Sequence, residues 1–165
     1  MNLAHLHLLL NHFPIIGTFI VLLLLVAGRY LKTQTIINTA AVLLVGIALI
    51  TIPAFFTGEP AEEAVEHLPG ISHHLIHEHE EAAELAFWLM NITGVIALGY
   101  LLLQRMKMAI AQQMIWVLLL ASFITCLLMA RVGNEGGKIR HSELNTSTTN
   151  AASLNTNEEE EHEQH

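Results

Sequence analysis

The chain has 165 residues, 53% of them apolar and only 13% charged, with a formal net charge of −8. Ordinary globular proteins carry about 25% charged residues, so this composition, with a mean hydropathy of +0.49, excludes a soluble domain of this length. Seven basic residues, split between the two ends of the apolar segments, exclude a nucleic-acid surface, and the lone Cys126 excludes a disulfide framework or a cysteine-based metal cluster.

Four apolar runs follow in chain order, Leu3–Ala27, Ile36–Phe56, Leu85–Leu103 and Ala109–Ala130. Each is near the roughly 20 residues that cross a hydrocarbon core of about 30 Å. With no water at that depth, every backbone amide must be satisfied within its own segment, so the runs are predicted to be helices. The first run has no basic segment before it and carries His5, His7, Asn11 and His12. It is therefore read as a retained helix rather than a signal peptide.

Arg29 and Lys32 lie between the first two runs, Arg105 and Lys107 between the last two, and neither loop holds an acid. The positive-inside rule assigns both loops to the cytoplasm of a bacterial inner membrane. The N-terminus, the 57–75 loop and the C-terminus are then expected on the periplasmic side. In that outer loop Thr57-Gly58-Glu59-Pro60 reads as a turn and Ala61–His67 as a short amphipathic helix opened by proline. Leu68-Pro69-Gly70 breaks it, and Ser72 is the expected cap of a third long helix running from His73 to Gln104. Val132–Gly137 reads as a flexible corner, and from Asn145 onward Ser, Thr, Asn and Glu leave no periodicity. The expected fold is all-α: a four-transmembrane-helix bundle over residues 1–143, with an outward-facing amphipathic loop and a disordered acidic tail over 144–165. Gly17, Gly28, Gly46, Gly94 and Gly99 are expected to let helices approach closely.

The chemistry lies in the histidines and glutamates. Of eleven histidines, all but His162 and His165 of the tail fall at the outer end of the expected bundle. Eight glutamates lie between Glu59 and Glu84 with no Lys or Arg among them, an arrangement that calls for compensation by a cation or by cationic side chains. His5 and His12 share one helical face, whereas His7 points roughly 140° away from His12. His73, His77, Glu80 or Glu81, and Glu84 form one stripe, from which His79 is turned away. A histidine pair four residues apart on such a stripe is a competent two-point metal clamp.

Several segments resemble a known family. His7-Leu-Leu-Leu-Asn-His12-Phe-Pro-Ile is similar to the H-x4-H-F-P-I opening of the small four-helix membrane proteins grouped as DUF2231-like. Thr57-Gly-Glu-Pro-Ala-Glu-Glu63, His79-Glu-Glu-Ala-Ala83 and Gly136-Gly-Lys-Ile-Arg-His141-Ser-Glu143 resemble segments of one bacterial branch of that group. The resemblance covers residues 3 to 143 and implies the four-span architecture. It highlights His7, His12, Glu59, Glu62, Glu63, His79, Glu80, Arg140, His141 and Glu143, and leaves His73, His74 and His77 outside the matched segments.

Three functions are compatible with these residues. In the first, a b-type haem is gripped by His12 or His7 of the first helix and His79 of the third. Arg131, Lys138, Arg140 and His141 then lie on the propionate side, and Phe13, Phe55, Phe56, Phe87 and Trp88 pack around the macrocycle. Such a protein carries electrons from quinol or to a periplasmic carrier. In the second, His7, His12, His79 and His141 with Glu59, Glu63 and Glu80 hold a copper, zinc or iron ion. In the third, the histidines only hydrogen-bond, and the chain is a cofactor-free structural or assembly subunit, alone, as a homo-oligomer or within a larger membrane complex. Substrate turnover is left open, since a metal with a free position is all it would require.

Overall fold

The computed structural model describes residues 3–63 and 73–162, with side chains described over 5–63 and 73–139. It contains α1 (Leu3–Tyr30), α2 (Gln34–Phe56), α3 (Gly58–Glu63), α4 (His73–Arg105) and α5 (Ala111–His162). Four of these, all but α3, are long and apolar enough to cross a membrane, as expected. The helix α1 packs on α2 and α5, and α4 packs on the same two. Round the bundle the order is α1, α2, α4, α5, so α1 and α4 face each other across its axis.

Each span turns one stripe inward at alternating steps of three and four residues, the spacing of left-handed helix packing. In α1 the buried positions are Pro14, Thr18, Val21, Leu25 and Gly28; in α5 they are Ala111, Ile115, Leu118, Ser122, Thr125, Met129 and Val132. The opposite faces carry exposed Phe19, Leu23, Val95 and Leu120, the apolar surface that lipid chains cover. Small residues set the distance between helices. A Cβ placed on Gly94 would stand 2.5 Å from the Ala48 Cβ, and one on Gly28 only 3.1 Å from the Ile37 backbone nitrogen. Gly17 meets Ile47 in the same way, whereas Gly46 and Gly99 have no neighbour within 4 Å and do not serve packing.

Polar groups inside the bundle are tied between helices. Thr93 of α4 and Thr125 of α5 meet hydroxyl to hydroxyl at 2.8 Å; one donates to the other, and the accepting hydroxyl gives its own proton to the carbonyl one turn back. Near the basic loops, the buried Tyr100 hydroxyl donates to Asn38 Oδ1 at 2.9 Å and accepts from Gln34 Nε2. Gln112 donates in turn to Gln34 Oε1 at 3.3 Å. Tyr100→Phe removes the hydroxyl but leaves Asn38 its bond from Gln34. The expected destabilisation is therefore only about 1 kcal/mol, read as a modest fall in unfolding midpoint in detergent.

Two features differ from the sequence expectation. Val132–Gly137 is no corner but a continuous part of α5. Gly133 packs against Ile15 of α1 and Gly136 against His79 of α4, and these close contacts hold the segment in helical register despite its glycines. The same helix is continuous to His162, a stretch in which neither glycine nor proline follows Gly137. At the other junction, α3 starts at Gly58, three residues before the expected Ala61. The Thr57 amide closes α2 on Pro53 O at 3.1 Å, and Pro60 sits in the first turn of α3, where a missing N–H costs nothing. His67, the Leu68-Pro69-Gly70 break and the Ser72 cap lie outside the described residues.

Candidate metal centre

The end of the bundle away from the basic loops brings two histidines together from opposite helices. On α1, His7, Asn11, Pro14 and Thr18 follow one another at steps of four, three and four, so His7 continues the inward stripe to the helix end. Its Nδ1 donates to the Ala54 carbonyl at 2.9 Å and lies 3.3 Å from Thr57 Oγ1. A carbonyl only accepts, so this bond fixes the ring proton on Nδ1 and leaves the lone pair on Nε2. The ring also rests against Gly58, where a Cβ would come within 3.5 Å of its Cε1.

On α4, His79 stands three residues beyond the buried Ile76 and is half-buried between helices. Its ring lies beside the backbone carbonyl of Val132 on α5. Its Nδ1 is buried without a hydrogen-bond partner. Gly136, one turn beyond Val132, makes room for the ring: a Cβ there would lie 3.2 Å from His79 Cε1. The His7 and His79 imidazoles are close enough to act on each other electrostatically.

Two further groups complete this end. Asn11 Oδ1, one turn below His7, is also buried and unpartnered. Glu135 of α5 is buried and interacts electrostatically with His79, while Lys138 Nζ holds its two carboxylate oxygens at 2.9 and 2.8 Å. Leaving a buried polar atom unmatched costs about 1–3 kcal/mol. Such atoms among the described residues are Asn11 Oδ1, His79 Nδ1 and Ser122 Oγ, and the first two belong to this end.

The other expected ligands do not converge here. His12 is exposed, and its Nδ1 donates to Leu8 O of its own helix at 2.6 Å. The stripe of His73, His77, Glu80, Glu81 and Glu84 is exposed along its whole length. There His77 pairs with Glu80 at 3.8 Å and Glu81 at 3.3 Å, and His74 pairs with Glu78 at 3.7 Å. Glu59 and Glu63 are exposed on α3, and Arg131 is exposed on α5. The side chains of Arg140, His141 and Glu143 lie outside the described residues. Phe55 stacks on Phe87 with ring centroids 4.4 Å apart, and Trp88 meets Phe87 edge-on. Among the described residues no three His, Cys, Asp or Glu side chains form a group fit for a metal ion. The sequence reading missed Glu135 and the site roles of Asn11 and Gly136. Their signal was the inward stripe, which in α5 runs on from Met129 and Val132 into the glycine-rich segment.

Comparison with family models, with characterised proteins and with solved structures finds no match to this chain.

Proposed function

We propose that this membrane protein holds a transition-metal centre between His7 and His79 and uses it in electron transfer. One observation carries the reading. Two imidazoles stand on opposite helices at one end of the bundle: His7 spends Nδ1 on a backbone carbonyl, and His79 Nδ1 is buried with no hydrogen-bond partner. A backbone carbonyl orienting the distal N–H is the common way a metal-binding histidine is fixed.

A bare copper, iron or zinc ion is favoured by the free nitrogen of His79 being Nδ1. That atom lies next to the ring carbon bearing Cβ, so a flat macrocycle bound there would collide with the helix. Asn11 Oδ1 supplies an oxygen donor, and Glu135, freed from Lys138, supplies a carboxylate. A b-type haem is the second reading, favoured because only two protein ligands converge and a porphyrin supplies the rest. Electron transfer requires copper or iron in the first case. The basic loops, facing the cytoplasm, orient the centre toward the periplasm of a bacterial inner membrane, within reach of quinol or a periplasmic carrier. The similarity of His7-Leu-Leu-Leu-Asn-His12-Phe-Pro-Ile and His79-Glu-Glu-Ala-Ala83 to DUF2231-like segments agrees with this choice, since each segment contributes one of the paired histidines.

The test is an absorption spectrum of the detergent-purified chain, oxidised and dithionite-reduced, with elemental analysis of the same sample. A Soret band that sharpens on reduction establishes haem. A sample without that band but with stoichiometric copper or iron establishes the bare ion, and stoichiometric zinc alone keeps the site but removes the electron-transfer role. Absence of metal leaves the cofactor-free assembly subunit. Gly136→Val forces the His79 ring from its place and is expected to weaken metal retention by about 10–100-fold, the effect of losing a ligand's orienting contact.

A further inference from the structure

The opposite end of the bundle carries a second site, independent of the metal proposal. Between α1 and α5 lies an open groove of about 580 Å³ lined by Val26, Arg29, Tyr30, Lys32, Trp116 and Leu119. The Arg29 guanidinium lies over the Trp116 ring, 5.0 Å from its centroid, which fixes the group while leaving its in-plane N–H donors free. Neither Arg29 nor Lys32 has a carboxylate partner among the described residues. The sequence supplies none nearby, since no acid occurs from residue 1 to 58 or from 85 to 134.

Lys32 has φ 54°, in the left-handed region where a glycine would sit without steric cost. Lys107 in the other basic turn has φ 57° as well, so the backbone alone does not single out Lys32. Arg29, Tyr30 and Lys32 lie at the end of a membrane span, the level of the lipid headgroups, and Val26 and Leu119 extend the groove toward the hydrocarbon. Cations at the headgroup level, an aromatic wall and an apolar floor are complementary to a phosphate joined to acyl chains.

We propose that this groove binds one anionic phospholipid, its phosphate held by Arg29 and Lys32 and its chains lying along Val26, Trp116 and Leu119. A charge serving only to orient the protein in the membrane would be supplied equally by Arg105 and Lys107. What distinguishes Arg29 and Lys32 is the groove and the indole beneath the guanidinium.

Native mass spectrometry of the full chain, titrated with phosphatidylglycerol or with phosphatidylcholine of the same chains, tests this. One phosphatidylglycerol is expected to remain bound in preference to phosphatidylcholine. Arg29→Gln and Lys32→Gly each lower that affinity about fivefold, and together about 25-fold, the loss expected for one and two bases at the membrane surface. Because Lys32→Gly relaxes the turn, loss of lipid in it is not loss of fold. The control pair Arg105→Gln with Lys107→Gln is expected to leave the affinity unchanged. Equal loss in the control pair, no preference for the anionic lipid, or displacement of the lipid by millimolar inorganic phosphate would each overturn the proposal.

Discussion

Replacing His7 or His79 by alanine is expected to weaken metal retention by more than about 100-fold, beyond what losing an orienting contact does. His12→Ala and His77→Ala are expected to retain metal like the parent chain. The difference follows from where each ring points. His7 and His79 enter the bundle end from diagonal helices, His7 with Nδ1 committed to the Ala54 carbonyl and His79 with a buried, unpartnered Nδ1. His12 is exposed and satisfied by Leu8 of its own helix, and His77 is satisfied by glutamates on the exposed stripe. Elemental analysis after purification and dialysis against a weak chelator reads the result. His7→Gln is a useful companion, because its amide can still donate toward Ala54 O and so keeps the α1–α2 contact while removing the imidazole. Full metal content in both alanine variants would remove His7 and His79 as ligands.

Gly94→Ala is expected to damage the bundle more than any other single methyl addition at its glycines. The new Cβ would stand 2.5 Å from the Ala48 Cβ, and Ala48 has no side-chain torsion with which to retreat. The helices α2 and α4 must therefore move apart, at a cost of about 1–3 kcal/mol. At Gly17 the closest atom is the Ile47 Cδ1 at 2.8 Å, a terminal methyl that can swing aside, so Gly17→Ala is milder. The compensating change Ala48→Gly should restore most of the stability of Gly94→Ala, because the added and removed methyls occupy the same space. Unfolding midpoints of the two single variants and the double variant in one detergent decide the matter. A Gly94→Ala chain as stable as its parent would contradict the packing described for α2 and α4.

Much of this architecture is legible in the sequence because a bilayer leaves few choices. A run of about 20 apolar residues must close its own hydrogen bonds, so the four spans follow from composition. The continuity of α5 past Val132 was hidden by its glycines, which read as a turn until the partners filling their missing side chains, Ile15 and His79, are known. The location of the site was legible for a similar reason, since the histidines gather at one end of the expected bundle. Its composition was not. Spacing alone made the His73–His77 pair a competent clamp, yet that stripe is exposed. The decisive pattern is the seven-residue grid of Ile76, Ala86, Met90, Thr93, Ala97 and Tyr100, on which His79 lies and His77 does not. His7 occupies the corresponding grid of α1 with Asn11, Pro14 and Thr18, where a face drawn through His5 and His12 misses it.

The two ends of the bundle divide the chemistry. One end gathers imidazoles, an unpartnered amide oxygen and a lysine-clamped carboxylate; the other carries bases and aromatics without a nearby acid. Between them Val21, Leu44, Ala97 and Leu118 are buried together in the apolar core.

A transition metal held between His7 and His79, as proposed, would have imidazole nitrogens among its nearest neighbours. X-ray absorption at the edge of the metal found in the purified chain tests it most directly. The expected result is nitrogen and oxygen scatterers near 2.0–2.1 Å, as for histidine ligands, with the outer-shell pattern of imidazole, lost in the His7→Ala and His79→Ala variants. Sulfur scatterers from Cys126 or a methionine, or an imidazole pattern that survives in both variants, would contradict it.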